Sequence, residues 1–358
     1  MIPVSIVTGF LGSGKTTLLR RLLRDQRFAR SAVIINEFGE IGLDHDLIES
    51  SDENLVRLST GCLCCSVRGD LILTVMDLIR RRDIGELQFD RVIVETSGLA
   101  DPAPILSAFM TDPDMAENCQ LMPVVTLVDA LHGWATLDEH VEARQQVAVA
   151  DRILLTKTDV AGEPIRLCRR LAALNPTAPR IMAIAGQIPY ESFLDEGRFS
   201  ENWALGVWSE SSDGDASERH EHQHTHGIVS ISLVREKPVR ALVLSLMIET
   251  LVEHAGSALL RVKGLVQLAE LPDRPVVLHG VQHVFEPLVS LDRWPSGDYR
   301  TRIVFIGRAI PVGWPKRLLD AIESEIEGLE NKPTGSSDMA ADSQIRQRSL
   351  LSAFVKAQ

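Results

Sequence analysis

The residues from Gly9 to Thr16 are those whose types and spacing most clearly suit chemistry on a phosphate group. They read G-F-L-G-S-G-K-T, which matches the pattern G-x-x-x-x-G-K-[ST] without a departure. Glycines let such a loop curl so that its backbone N–H groups point at a phosphate, where the dipole of the following helix adds positive potential. The lysine supplies charge to the β- and γ-phosphates of a nucleotide, and the hydroxyl that follows it ligates magnesium.

The sequence on either side of this loop favours a nucleotide site over a glycine-rich turn that happens to end in Lys-Thr. An apolar strand-like run at 4–7 precedes the loop, and a pattern with helical apolar spacing at 16–27 follows it. Lys15 is also the predicted catalytic cation, and Thr16 is the predicted magnesium ligand. The residues predicted to bind the nucleotide phosphates are Gly9, Gly12, Ser13, Gly14, Lys15, Thr16 and Thr17.

A second motif, L-L-T-K-T-D at 154–159, indicates which base is bound. It ends an apolar run, and nucleotides bind at the carboxyl edge of the strands in open α/β sheets. A carboxylate there accepts two hydrogen bonds from guanine, a donor pair that adenine lacks, so Asp159 is predicted to select GTP over ATP. The Lys157 stem would cover one face of the base, and Thr156 replaces the commoner Asn of the N-K-x-D motif. A surface turn is the alternative, and the phosphate-binding loop upstream favours the guanine site.

The stretch R-V-I-V-E-T-S-G at 91–98 lies between these two motifs. An apolar strand ends in an acid, and a glycine follows three residues later. In P-loop proteins this position holds the carboxylate that supports magnesium and the glycine N–H that senses the γ-phosphate. We therefore predict catalytic roles for Glu95, in the magnesium or water shell, and for Gly98, in the second switch. A strand that merely ends in an acid at a helix cap is the alternative.

Three cysteines in four residues, Cys62, Cys64 and Cys65, indicate a metal site. Thiolates are soft donors that favour Zn(II), Cu(I) or related ions, and three protein ligands leave one tetrahedral position open for transfer. Which of the three sulfurs converge on one ion stays open. Glu37, in the segment of the first switch, is a predicted hard co-ligand. A redox pair or buried cysteines acting as small apolar groups are the alternatives.

A polar stretch at 209–226 contains no aliphatic residue except one alanine. It cannot bury a core and is predicted to be a mobile linker. A mobile tract of imidazoles binds Zn(II), Ni(II), Cu(II) or Co(II) loosely, whereas a simple solvated linker needs no histidines. The predicted capture residues are His220, His222, His224 and His226. The isolated Cys119 and Cys168 are predicted to be core residues.

The elements that must position these motifs alternate between strand-like and helix-like stretches over residues 1–200. Apolar runs separated by helices indicate a parallel sheet between helix layers. The predicted fold class is α/β, with the parallel sheet of a P-loop NTPase sandwiched by helices. The strand-like runs lie at 4–7, 32–35, 91–95, 123–129 and 152–156.

A second, smaller α+β domain is predicted at 227–330, after a His-rich flexible linker at 201–226. Its strands should form a mostly antiparallel sheet. Residues 331–358 are polar and are predicted to be disordered. In the second domain, strand-like patterns lie at 228–234, 259–268, 275–278, 283–291 and 301–306, and helical patterns at 239–254 and 314–327.

Composition narrows the classes of function. The chain has 358 residues, 45% of them hydrophobic and 24% charged, with a net charge of −12. The acidic balance argues against nucleic acid and anionic membrane as partners, and no segment is apolar enough to span a bilayer. The N-terminus reads directly into a strand and not into a signal peptide, so the expected compartment is the cytoplasm. The five cysteines are not expected to form a disulfide framework there.

Together these residues resemble the CobW-like metallochaperone GTPases, which are related to the nickel-insertion GTPases of urease and hydrogenase maturation. The resemblance covers about residues 1–325, and the motifs that carry it lie at 9–17, 37–44 (E-x-G-x-x-G-x-D), 61–65, 95–98 and 156–159. It implies slow intrinsic hydrolysis of GTP with Mg²⁺, binding of Zn(II) or Co(II) at the C-x-C-C region, and delivery to a client metalloprotein. A homodimer is a candidate assembly.

A GTP-dependent zinc metallochaperone is therefore the leading hypothesis. A cobalt chaperone serving cobalamin synthesis is the alternative within the family. The thiolates favour zinc, but the His tract can bind several metals, so the ligand types do not exclude cobalt. A P-loop kinase ranks lower, since kinases usually lack a guanine-selecting T-K-x-D. A constitutive metal store is the third alternative, and turnover of GTP that responds to metal would separate it from a chaperone.

Overall fold

The computed structural model describes residues 1–36, 55–58, 66–183, 190, 227–256, 258–311 and 313–330. The chain divides into two compact units, Met1–Ile228 and Val229–Gln358. The predicted linker at 201–226 and the predicted tail at 331–358 lie outside the described residues, so the domain limits drawn from them stay predictions.

The first unit is built on a sheet in which all pairings between the described strands are parallel. Its strands are β1 (Ile2–Gly9), β2 (Ser31–Asn36), β3 (Leu55–Leu58), β4 (Arg91–Thr96), β5 (Cys119–Leu121), β6 (Val125–Asp129), β7 (Arg152–Thr156) and β8 (Arg180–Met182). They lie in the order β3-β2-β4-β1-β6-β7-β8, and β5 pairs with β1. The five predicted strands are confirmed, and so is the parallel sheet.

The two central strands are apolar on both faces, as a sheet covered by helices requires. Val4, Ile6 and Val7 of β1 have no exposed surface, and neither have Val92 and Val94 of β4. Because the strands run in parallel, their carboxyl ends meet at one edge of the sheet. Every motif that follows a strand end is thereby brought to that edge.

Helices connect the strands, as parallel pairs demand. They are α1 (Lys15–Arg24), α2 (Ser66–Asp83), α3 (Ala103–Thr111), α4 (Pro113–Asn118), α5 (Gly133–Glu139), α6 (Val141–Val149), α7 (Thr158–Ala161) and α8 (Ile165–Leu174). Leu18 and Leu22 of α1 join the buried cluster under the sheet. The predicted helix at 16–27 was too long, because α1 ends at Arg24. Asp25 is extended there, and its carboxylate accepts from the Arg27 amide to start a 3₁₀ turn.

Helix α6 is fixed at its C-terminal end by Asn175, whose side chain has no exposed surface. Its Nδ2 donates to the carbonyls of Val147 (2.9 Å), Ala148 (3.2 Å) and Ala150 (2.9 Å). They lie at the end of the helix, where carbonyls run short of intrahelical donors; the Val147 carbonyl also accepts from the Ala150 amide. Its Oδ1 accepts from the backbone and the hydroxyl of Thr177. One buried amide therefore sets the position of α6 against the sheet.

The second unit is an antiparallel sheet with two helices, as predicted for an α+β domain. The elements are β9 (Ile228–Arg235), α9 (Ala241–Ala255), β10 (Leu259–Leu268), β11 (Leu271–Val281), β12 (Val284–Phe285), β13 (Val289–Ser290), β14 (Thr301–Arg308) and α10 (Trp314–Glu330). The strands lie in the order β12-β11-β10-β14-β9, and β13 pairs with β11. The predicted single strand at 283–291 was wrong: two short strands, β12 and β13, replace it, because Pro287 between them has no N–H to donate to a ladder.

The core of the second unit lies between its sheet and its helices, where Val262, Phe305, Val243 and Leu319 are buried together. His279 is buried on β11, with its Nδ1 3.0 Å from a Glu286 carboxylate oxygen.

We expect Asn175→Ala to lower the free energy of unfolding by about 2–4 kcal/mol, because several buried carbonyls and a buried hydroxyl lose their partner at once. Urea denaturation followed by circular dichroism measures this. The matched control is Asn118→Ala, whose Nδ2 donates to the Asp114 carbonyl at the surface, and which should cost no more than about 0.5 kcal/mol. Equal effects of the two substitutions would contradict the anchoring role of Asn175.

Candidate functional site

The loop between β1 and α1 has the backbone that its glycines predict. Gly9, Gly12 and Gly14 have φ angles of 141°, 72° and 95°, a region that residues with a Cβ rarely adopt. At Gly9 a Cβ would also lie 2.5 Å from the Leu127 carbonyl oxygen. The curl of the loop therefore depends on glycine at these positions.

Lys15, the first residue of α1, places its charge inside this curl. Its Nζ donates to the carbonyls of Gly9 at 2.8 Å and Phe10 at 3.1 Å, and the residue is 8% exposed. The first turn of the described helix α1 contains no acidic side chain. An ammonium group and the positive end of a helix thus act together, and they form a cradle that suits an anionic phosphate.

Two side-chain oxygen atoms that are able to ligate a metal ion lie beside the cradle. The Thr16 hydroxyl donates to Oε1 of Glu95 at 3.1 Å, and Glu95 is 5% exposed at the end of β4. Both line a cavity of about 290 Å³ that also contains Gly12, Lys15 and Gly98. A hydroxyl and a carboxylate are hard oxygen ligands, the kind that Mg²⁺ prefers next to substrate phosphates. The residues present therefore fit magnesium.

Gly98 packs directly on the phosphate loop. A Cβ at this position would lie 2.6 Å from Cδ2 and 2.8 Å from the backbone nitrogen of Leu11. The turn after β4 therefore approaches the loop as closely as backbone allows. The structure thus brings the predicted catalytic residues Lys15, Glu95 and Gly98 into one cavity.

The predicted guanine motif lies at the end of β7, at the same edge of the sheet. The Thr156 hydroxyl donates to the Ser13 carbonyl at 2.8 Å, which joins this motif to the phosphate loop. Lys157 has a left-handed backbone (φ 57°) and caps α7. Asp159 is exposed in the first turn of α7, where its carboxylate is free to meet a ligand. Of the other residues predicted to bind phosphate, Ser13 lies in the loop after β1 and Thr17 lies in the first turn of α1.

Asp129, at the end of β6, is a site residue that the sequence analysis missed. Its Oδ2 lies 2.6 Å from Nζ of Lys157 and 3.1 Å from Nδ1 of His132. Burial raises the pKa of the Asp129 carboxyl, but the hydrogen bonds from Lys157, His132 and the Leu131 amide lower it by more, so the pKa lies below its usual value. The carboxylate is ionised at neutral pH, and its pairing stabilises the fold until the pH falls through that lowered pKa.

A sequence signal for Asp129 was present. The acid ends the apolar run at 123–129, the same pattern that identified Glu95 at the end of the run at 91–95. What the sequence did not contain was the partner, because Lys157 reaches Asp129 only through the pairing of β6 with β7. The ion pair holds the lysine stem beside the phosphate loop.

The predicted transition-metal ligands lie outside the described residues, and they stay predictions. They are Glu37, Cys62, Cys64, Cys65, His220, His222, His224 and His226. Within the described ranges, no group of three or more His, Cys, Asp or Glu residues is placed to hold a metal ion. Cys119 is buried, as predicted, and burial raises the pKa of its thiol to about 11; Cys168 is half-buried.

In the part of the chain that the structure describes, no helix combines the length and the apolar character needed to cross a membrane.

Both units match known families. Residues 3–182 match the CobW/HypB/UreG nucleotide-binding domain, and residues 228–323 match the cobalamin synthesis protein cobW C-terminal domain. The zinc chaperone YjiA of Escherichia coli (strain K12) is 37% identical over 312 residues, which are 87% of this chain and 95% of that protein. The zinc chaperone CobW of Sinorhizobium sp is 30% identical over 86% of this chain and 92% of its own length.

A solved structure agrees with these matches. The crystal structure of Zn(II)-bound YjiA GTPase from E. coli has a TM-score of 0.71 to this chain and 32% sequence identity, and the match covers 90% of this chain and 98% of that one. The agreement extends over nearly the whole length of both proteins. This chain belongs to the CobW/HypB/UreG family.

Proposed function

We propose that this chain is a GTP-hydrolysing zinc chaperone, which binds GTP with Mg²⁺ in its first unit and passes Zn(II) to a client metalloprotein. The observation that carries the proposal is the cavity in which Lys15, Thr16, Glu95 and Gly98 meet. The relatives named as zinc chaperones, YjiA and CobW, match this chain over 95% and 92% of their lengths. The client's identity stays open.

The phosphate end of the nucleotide is bound by charge and by backbone. Lys15, whose Nζ lies inside the loop, and the N-terminal end of α1 would balance the negative charge of the phosphates. Thr16 and Glu95, which are in hydrogen-bond contact, would hold the metal. A bound Mg²⁺ would supply positive charge against the negative charge that develops on the phosphate oxygens during hydrolysis. Gly98, packed on the phosphate loop, contributes its backbone N–H to the γ-phosphate end. These contacts are the part of the site that makes hydrolysis possible.

The base end is bound by the motif after β7. Asp159 accepts the guanine donor pair, and Lys157 covers the base with its stem while Asp129 holds its ammonium group. Thr156 takes the place of the commoner Asn, and its hydroxyl ties this motif to Ser13 of the phosphate loop. Base and phosphate recognition are thus linked through one hydrogen bond.

Zinc is the proposed cargo, and Glu37, Cys62, Cys64 and Cys65 are its proposed tight ligands. The segment that carries Glu37 begins where β2 ends, and there Asn36 pairs with Thr96, the residue after Glu95. The chain therefore enters this segment beside the γ-phosphate end of the site. The start of this segment beside the nucleotide site supports the proposal that metal binding and nucleotide binding are coupled.

Among metals, zinc is favoured over cobalt. The C-terminal match carries the name of a cobalamin synthesis protein, but the relatives called CobW are themselves named zinc chaperones. The cytoplasm is the proposed compartment, since a C-x-C-C run stays reduced there.

The intact chain should bind GTP and GDP far more tightly than ATP, and Asp159→Asn should weaken that preference. Loss of a bidentate pair to the base costs about 1–3 kcal/mol, or roughly 5- to 150-fold in affinity. Displacement of a fluorescent GDP analogue measures it. Asp114→Asn is the matched control, because Asp114 also lies in the first turn of a short helix, and it should change nothing. Equal affinities of the intact chain for ATP and GTP would overturn the guanine assignment.

Lys15→Ala should abolish GTP hydrolysis and leave the fold intact, because the lysine acts on phosphate charge and not on packing. Phosphate release with GTP and Mg²⁺ gives the rate, and circular dichroism reports the fold. Arg24→Ala removes an exposed cation from the last turn of the same helix and should keep the parent rate. A Lys15→Ala protein that hydrolyses GTP at the parent rate would show that the loop is not the active site.

A further inference from the structure

Two side chains of α6 reach the loop after β4, residues 97–101, and one of them, Gln146, binds the backbone of that loop. We call this loop the switch loop, because it contains Gly98. Gln146 of α6 is 1% exposed, and its Nε2 donates to the carbonyl of Gly98 at 3.0 Å and to the carbonyl of Ala100 at 3.0 Å. A primary amide has two N–H donors, and both of them donate to carbonyls of this loop.

The orientation of the Gln146 amide is determined by its partners. Both are carbonyl oxygens, which only the nitrogen can serve, so the amide cannot be flipped. Within the described residues, its Oε1 has no donor. Among the residues that the structure describes, the hydrogen bonds of the Gln146 side chain are therefore the two that it donates to the switch loop.

The helix backbone that carries Gln146 is itself held by hydrogen bonds from two side chains. The Thr126 hydroxyl of β6 donates to the Gln146 backbone carbonyl at 2.9 Å, and Asn175 holds the end of α6. The switch loop is thus fixed from two sides: Gly98 lies against Leu11 of the phosphate loop, and its carbonyl is held by α6.

The neighbouring residue, Gln145, binds a side chain of the loop and not its backbone. Gln145 donates to Oδ2 of Asp101 at 3.3 Å, and Oδ1 of Asp101 accepts from the Ala103 amide at the start of α3. Gln145 therefore acts on a side chain that caps a helix and not on the backbone beside the phosphate cavity. The chain itself thus offers a matched control.

From this geometry we infer that Gln146 is a positioning residue for GTP hydrolysis: its amide sets the carbonyls of Gly98 and Ala100, and thereby the peptide groups that the switch loop presents to the phosphate cavity. The inference rests on the proposed GTPase function. A small misplacement of a transition-state donor is enough to cost a large part of the rate. Removal of the amide should therefore lower kcat and leave nucleotide binding to Lys15 and Asp159.

The first test is Gln146→Met, which keeps the length of the side chain and removes both donors. The kcat for GTP hydrolysis should fall about 10- to 100-fold, while KM for GTP and the affinity for GDP stay within about 3-fold. Gln145→Met should keep kcat within about 2-fold. Equal loss in the two variants, or a Gln146→Met protein with the parent kcat, would overturn the inference.

The second test is Gln146→Glu, which separates positioning from packing. An ionised carboxylate donates nothing to the two carbonyls, whereas a protonated one regains a single donor. Burial beside carbonyl oxygens raises the pKa of such a carboxyl. Relative to the parent chain, kcat of this variant should therefore rise as the pH falls from about 8 to about 6, and Gln146→Met should show no such rise.

A purely structural role would lower the unfolding temperature of Gln146→Glu without this recovery, so a pH profile parallel to the parent would overturn the inference even if Gln146→Met folded poorly. If the parent chain hydrolyses no GTP, the proposed function falls and the inference with it. If the parent hydrolyses GTP and so does Gln146→Met at the same kcat, only the inference falls.

Discussion

The hydrogen bond between Thr16 and Glu95 joins residues 79 positions apart in the chain, and the rest of the site is arranged around it. It exists because β1 and β4 are parallel neighbours, in a register that pairs Val7 with Glu95. Their buried valines and isoleucines hold that register, since a shift by one residue would turn every side chain to the other face. The packing of the sheet thus determines the distance between the phosphate loop and the Glu95 carboxylate.

Two further contacts fix the position of the predicted guanine motif at 156–159. The pairing of β6 with β7 places Asp129 opposite Thr156, so the Asp129 carboxylate reaches the ammonium of Lys157 and the Thr156 hydroxyl reaches Ser13. A charged contact inside a partly buried site is stronger than one in water. The predicted guanine motif is consequently joined to the phosphate loop by contacts within the protein itself.

Local patterns in the sequence predicted the strands and the phosphate loop, because those depend on neighbouring residues. They failed in two kinds of place: where a single local residue ends an element early, and where the partner is distant in the chain. The helix at 16–27 was too long because Asp25 caps a new turn, and Pro287 divides what had been predicted as one strand. Gln146 carries no sequence signal at all, since its partners at Gly98 and Ala100 are defined only by the fold. The metal ligands around Cys62–Cys65 lie outside the described residues and remain predictions.

Delivery of zinc by a GTPase requires that nucleotide and zinc bind in a coupled way, and a titration of zinc affinity tests this coupling most directly. Zn(II) is titrated against a competing chelator into protein loaded with a non-hydrolysable GTP analogue and into protein loaded with GDP. Linkage predicts affinities that differ by about 5- to 150-fold, with release of protons from the thiols. The pair Cys64→Ser and Cys65→Ser should remove the tight site and the difference, whereas deletion of 219–226 should remove only weaker binding. Identical zinc affinities in the two nucleotide states would contradict the delivery mechanism.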